Sequence, residues 1–185
     1  RHTASESIQL QAVEFWSTVC EVERDIVERL EDYAGDQHGD DQACFGFAKA
    51  ALPQLLPALL WLLCQQTDEY GEGAGSSDDW TPAMAAATCL SLLAATVQDA
   101  IMSDGTLLSF VQTNLGNRED WRCREAAAMA FGSCLDGPDH QQMSHLVVTA
   151  MPILITLLTD PSVAVRHTTA WCIGEACRSF VDTLS

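Results

Sequence analysis

The chain reads as helix almost from end to end. Apolar residues recur at intervals of three and four, as at Leu107, Leu108, Val111 and Leu115, the spacing that lines up one face of a helix. No stretch alternates apolar and polar residues as a half-buried strand would, and glycine and aspartate clusters interrupt the helical runs. The pattern predicts seven helices, over about 5–31, 41–66, 82–98, 101–115, 120–135, 140–158 and 161–180. Pro82 after Thr81 and Pro161 after Asp160 are good helix starts. The preceding side chain takes a free N–H and proline has none to leave unsatisfied. Pro53 and Pro57 fall inside the second run and should bend it.

An internal repeat decides the architecture. Trp80 and Trp121 are 41 residues apart, and the triplets Ala85-Ala86-Ala87 and Ala126-Ala127-Ala128 keep that offset. Arg124 and Arg166, and Gly132 and Gly174, are each 42 apart. A period of ~40–47 residues with two helices per unit describes HEAT or armadillo arrays. Small residues at the repeated positions let one helix lie against the next. The expected fold is therefore all-α, an α-solenoid in which stacked pairs bury what no single pair can hide. Residues 41–98, 101–136 and 139–181 read as three complete A–B helix pairs. Residues 1–31 read as the B helix of a partial unit, and 1–185 as one solenoid segment. The end pairs are no more polar than the middle ones, so the sequence reads as an excerpt of a longer array.

Composition narrows the chemistry. Of 185 residues, 48% are hydrophobic, which excludes a disordered tail. Nine basic residues against 26 acidic ones give a net charge of −17, and Lys49 is the single lysine. Phosphate-neutralising clusters are missing, which argues against nucleic acid and against an anionic membrane surface. A field this negative attracts a basic partner. The apolar stretch 50–64 is interrupted by Pro53, Gln54 and Pro57 and is too short to span a bilayer. The eight cysteines form no C-x-x-C pair and no zinc spacing with histidine, so they read as reduced core thiols, and no metal or cofactor is expected. His140 and His145 are five apart and share no helix face, and no phosphate loop, G-x-S-x-G or H-E-x-x-H occurs. Catalysis is not expected.

Two turns within pairs are short, at 116–119 and 159–161. The first pair instead carries an insertion over 67–80, with Asp68, Glu69, Glu72, Asp78 and Asp79, no basic residue, and Trp80 at its end. Solenoids place such insertions on one face, often the binding face. Carboxylates there suit ammonium or guanidinium heads, and an indole packs an aliphatic stem or a cation. The plainer alternative is a solvated loop without a role. A second acidic stretch from Glu21 to Asp41 reads as the wet face of the first helix followed by a polar linker.

Several segments together resemble the importin-beta (karyopherin) family. They are Ile8-Gln-Leu-Gln-Ala-Val-Glu-Phe-Trp-Ser-Thr-Val-Cys20, the acidic loop closing on Asp78-Asp79-Trp80, Asp120-Trp-Arg-Cys-Arg-Glu-Ala-Ala-Ala-Met-Ala-Phe-Gly132, Asp136-Gly-Pro138 and Asp160-Pro-Ser-Val-Ala-Val-Arg-His-Thr-Thr-Ala-Trp171. The likeness is to the central HEAT repeats and covers nearly the whole chain; it is weakest over 21–42. It implies a nuclear transport receptor acting between cytoplasm and nucleus through the nuclear pore. B helices would line a concave face that wraps the basic importin-beta-binding segment of importin alpha, or basic cargo directly. RanGTP would eject that load, and FG nucleoporins would dock between A helices outside. On this resemblance Asp68, Glu69, Glu72, Asp78, Asp79 and Trp80 belong to the acidic-loop contacts. Trp171 would stack against the basic helix, with Glu175 one turn further on.

Two departures qualify the likeness. Gly71, Gly73, Gly75, Ser76 and Ser77 dilute the acidic run. The family's Asp-to-Arg ladder is clear only at Asp160 and Arg166; one unit earlier Arg118 stands before Arg124, where an aspartate is expected. Trp16, Trp61 and Trp121 read as packing residues. A HEAT scaffold subunit of a different complex, of phosphatase or condensin type, is the competing reading, and it would need no acidic loop closing on a tryptophan.

Overall fold

The computed structural model describes residues 3–32, 44–66 and 80–180. These hold seven α-helices: α1 Ala4–Asp32, α2 Phe47–Leu63, α3 Pro82–Val97, α4 Thr106–Leu115, α5 Trp121–Ser133, α6 His140–Leu157 and α7 Val163–Phe180. A 3-10 helix, Gln98–Met102, follows α3, and no strand occurs among the described residues. Three predicted starts shift, α7 by only two residues, to Val163 from Pro161. α2 begins at Phe47 rather than near 41, because Gly46 takes a left-handed conformation (φ 67°) directly before it. α4 begins at Thr106 rather than near 101, because the 3-10 helix and a turn occupy the residues before it.

Local chemistry fixes most helix starts. Thr3 and Glu6 form a reciprocal capping box on α1. Thr81 accepts from the Met84 N–H at the head of α3, with Pro82 next to it. Asp120 caps α5 through the Arg122 N–H, and Asp139 caps α6 through the N–H groups of Gln141 and Gln142. α2 has no cap of its own. The Glu23 carboxylate of α1 reaches across and accepts from the N–H groups of both Phe47 and Ala48. Glu23 is only 5% exposed, so this residue departs from the reading of 21–31 as a wet face. It lies in helical register with the buried Val13 and Cys20.

α1, α3, α5 and α7 stand side by side in one row. α2, α4 and α6 pack on α3, α5 and α7 respectively. Neighbours in the second row meet less: α2 and α4 touch lightly, and α4 and α6 scarcely at all. Closer spacing in one row than in the other makes the α1–α3–α5–α7 row the inside of the curve. The molecule is an α-solenoid. Leu56, Leu59, Leu90, Leu93, Ile101 and Leu154 are sealed between the rows. Ala86 and Ala126-Ala127-Ala128 have no exposed surface, which fits their expected role in close helix approach. Pro82–Met102 is long and apolar enough to cross a membrane by length and composition, but it is the core helix between α1, α2 and α5.

Candidate functional site

Trp171 sits midway along α7 with its indole laid on the α5 backbone at Gly132. A Cβ added to Gly132 would come within 2.5 Å of the ring Cζ3 and 2.9 Å of Cη2. Only glycine leaves room for the indole there. The residue is nonetheless 38% exposed, so it is held in place with part of its surface in solvent. Glu175, one turn further on, is paired with Arg178, which also lies 3.5 Å from the Asp136 carboxylate. The Glu175 carboxylate therefore already has a cation beside it. Trp80 is 49% exposed and immediately precedes the Thr81 cap of α3. Trp171 thus belongs to a helix of the inner row, and Trp80 leads into one. Asp68, Glu69, Glu72, Asp78 and Asp79 lie outside the described residues.

The other tryptophans divide. Trp16 and Trp121 pack against the core, and the Arg122 guanidinium lies 5.1 Å from the Trp121 ring centroid. Trp61 does not pack as the sequence suggested; it is 54% exposed. α2 buries Leu52, Leu55, Leu56, Leu59, Leu60 and Leu63 on its opposite side, which leaves Pro53, Pro57 and Trp61 outward.

Adjacent units are locked by charge as well as by packing. Arg124 of α5 grips the Asp160 carboxylate through two parallel bonds of 2.7 and 2.9 Å and also donates to the Asn117 carbonyl at 2.9 Å. Arg166 donates in the same manner to the Asp160 carbonyl at 2.7 Å. Burial disfavours the ionised form of Asp160, but bonds from Arg124 and the Ser162 N–H outweigh it and hold the carboxyl below the usual carboxylate range. Asn117 takes the place of the expected aspartate. Its Oδ1 accepts from the N–H groups of Glu119 and Asp120, so it organises the turn without a charge. The α3 position that matches Arg124 is Ala83, so there is no arginine for an aspartate to hold.

A buried polar contact that the sequence did not reveal lies between α5 and α7. Glu125 is 5% exposed and accepts from the Thr168 hydroxyl at 2.9 Å. Burial pushes its carboxyl above the usual range, partly offset by the bond from Thr168. A glutamate beside three alanines in a helix gave the only hint. On the outer side, the gap between α4 and α6 forms a narrow apolar groove of about 60 Å³. Leu107, Leu108 and Val111 line one wall, Leu146, Ala150 and Ile153 the other, and Phe131 and Cys134 the floor.

Stacked helix pairs in two rows define a HEAT-type scaffold. The HEAT-like repeat family matches residues 121–176. Importin subunit beta-1 of Schizosaccharomyces pombe is 42% identical over 184 residues, all of this chain and 20% of that protein. The structure of yeast importin-beta (Kap95p) superposes with a TM-score of 0.87 at 36% identity, covering 99% of this chain and 20% of that one. Kap95p solved with RanGDP, whose switch loops its binding brings to the GTP-bound conformation, gives 0.83 at 37% identity over 96% of this chain and 19% of that one. Its complex with Nup1 gives 0.83 at 36% over 97% and 19%. This stretch of sequence belongs to the importin-beta family, and it spans about a fifth of the length of the relatives it matches.

Proposed function

We propose that this chain is the central segment of a nuclear import receptor, moving between cytoplasm and nucleus through the nuclear pore. Its inner row holds basic, helix-forming ligands: the importin-beta-binding segment of importin alpha, or basic cargo. Residues 41–98, 101–136 and 139–181 act as its three complete A–B units. The observation that carries this reading is Trp171, seated on Gly132 yet 38% exposed on the inner row. An anchored, half-open indole offers a flat apolar face to an arginine stem at little cost in side-chain freedom. Trp80 offers a second one, 49% exposed, directly after Asp78 and Asp79. The net charge of −17 supplies the long-range attraction. Asp68, Glu69, Glu72, Asp78 and Asp79 are assigned to guanidinium and ammonium heads, and Glu175 to an arginine that displaces Arg178.

RanGTP releases the ligand by competing for the same acidic loop. Kap95p engages Ran and Nup1, which supports both classes of partner for this chain. The groove between α4 and α6 suits an FG nucleoporin, since a phenylalanine ring matches its apolar walls. The work is recognition and release, with no chemical step. The test is titration of the chain with a fluorescent arginine-rich helical peptide at two salt concentrations. Micromolar or tighter binding that weakens with salt, and weakens further in Trp171→Ala and in Asp78→Lys/Asp79→Lys, is expected. Equal affinity of parent and variants at low salt refutes the inner-wall assignment.

A further inference from the structure

The structure brings two pairs of cysteines together, and they differ in access. Cys20 and Cys89 interact between α1 and α3, but both have no exposed surface. The side chains of Cys64 and Cys123 also lie near enough to influence each other, and both are partly exposed. Cys64 is the C-terminal cap of α2, and Cys123 lies in the first turn of α5. The helices are in contact at this point, and the Arg122 Nε–H donates to the Gln66 carbonyl at 2.8 Å. That bond fixes the chain just after Cys64 to the residue just before Cys123.

We propose that Cys64 and Cys123 form a reversible disulfide under peroxide, a redox staple between two neighbouring repeat units. It stands apart from the receptor reading. Burial, with Cys123 beside it, pushes the Cys64 thiol up to about 11, so Cys64 stays protonated at neutral pH and acts second. Cys123 gives up its proton as its sulfur attacks hydrogen peroxide; an S–O bond forms, the O–O bond breaks, and hydroxide leaves to be protonated to water. Cys64 then gives up its proton and attacks the sulfenic sulfur. The S–S bond forms, the S–O bond breaks, and a second water leaves. Two thiols are oxidised and one peroxide is reduced to two waters. A thiol reductant such as glutathione reverses the reaction by exchange.

The staple links the end of α2, directly before residues 67–79, to the start of α5. It closes the 65–122 stretch and limits how far two units can tilt against each other, so the oxidised form is stiffer. The experiment treats the full chain with hydrogen peroxide, blocks remaining thiols with iodoacetamide, and maps peptides by mass spectrometry without reduction. A loss of ~2 Da, a Cys64–Cys123 crosslinked peptide, its disappearance in Cys64→Ser and in Cys123→Ser, and a melting temperature raised by ~5 °C only when oxidised are expected. Cys20 and Cys89 should remain alkylatable after unfolding. Two results overturn the proposal: Cys64 and Cys123 both recovered alkylated, or either joined to another cysteine such as Cys177. Mapping of the parent chain alone decides this even where a serine variant fails to fold.

Discussion

Gly132→Ala separates two opposing forces on one atom. In an ordinary helix interior the change favours folding by about 1 kcal/mol, because alanine loses less backbone freedom than glycine. Here the new methyl would lie 2.5 Å from Cζ3 and 2.9 Å from Cη2 of Trp171. Carbon atoms rest at about 3.5–4.0 Å, so the indole must retreat by about 1 Å. Overpacking of that size costs about 1–3 kcal/mol. The expected net effect is a destabilisation of about 0–2 kcal/mol. In a Trp171→Ala background the obstruction is gone, and the same substitution should stabilise by about 0.5–1 kcal/mol. The assay is urea unfolding of the four proteins of the cycle, followed by circular dichroism, with a coupling of about 1–3 kcal/mol expected. Indole emission of Gly132→Ala should also shift toward the red as the ring lifts into water. Equal effects of Gly132→Ala in both backgrounds would refute the contact as the reason for the glycine.

Arg124→Ala leaves the Asp160 carboxylate buried without its cation and should cost about 3–5 kcal/mol near neutral pH by denaturant unfolding. Asp160 has a lowered folded-state pKa, so its contribution is present above the unfolded value of about 3.9 and fades as pH falls through the folded value. The gap between variant and parent should therefore narrow below about pH 4; a gap unchanged there counts against the pairing. Glu125 has the opposite sign, because its raised pKa makes the ionised form costly in the folded chain. Glu125→Gln, which keeps an acceptor for Thr168, should raise the melting temperature at pH 7 and lose that advantage toward pH 4. Identical melting at both pH values would remove the buried charge from the account.

The period of about 41–42 residues, the alanine triplets and the acidic balance were legible in the sequence, and with them the α-solenoid and its helix pairing. Helix periodicity and cap chemistry are local, so they survive without any knowledge of neighbours. Which side chains meet across the solenoid was not legible. Glu23 reads as one more charge on a wet helix until the fold places it on the bare N–H groups of α2. Trp61 and Trp171 both lie among apolar residues in the sequence. Only packing decides that Trp61 faces out from α2 while Trp171 rests on a glycine 39 residues earlier in the chain. Asn117 organises its turn with an uncharged oxygen where Asp160 pairs with Arg124, and α3, 34 residues earlier, carries Ala83 at the position that matches Arg124. The thiols of Cys64 and Cys123 meet for the same reason. One-dimensional pattern fixes which side of each helix is buried, but the partner on that side is set by how whole units stack, and that belongs to the tertiary structure alone.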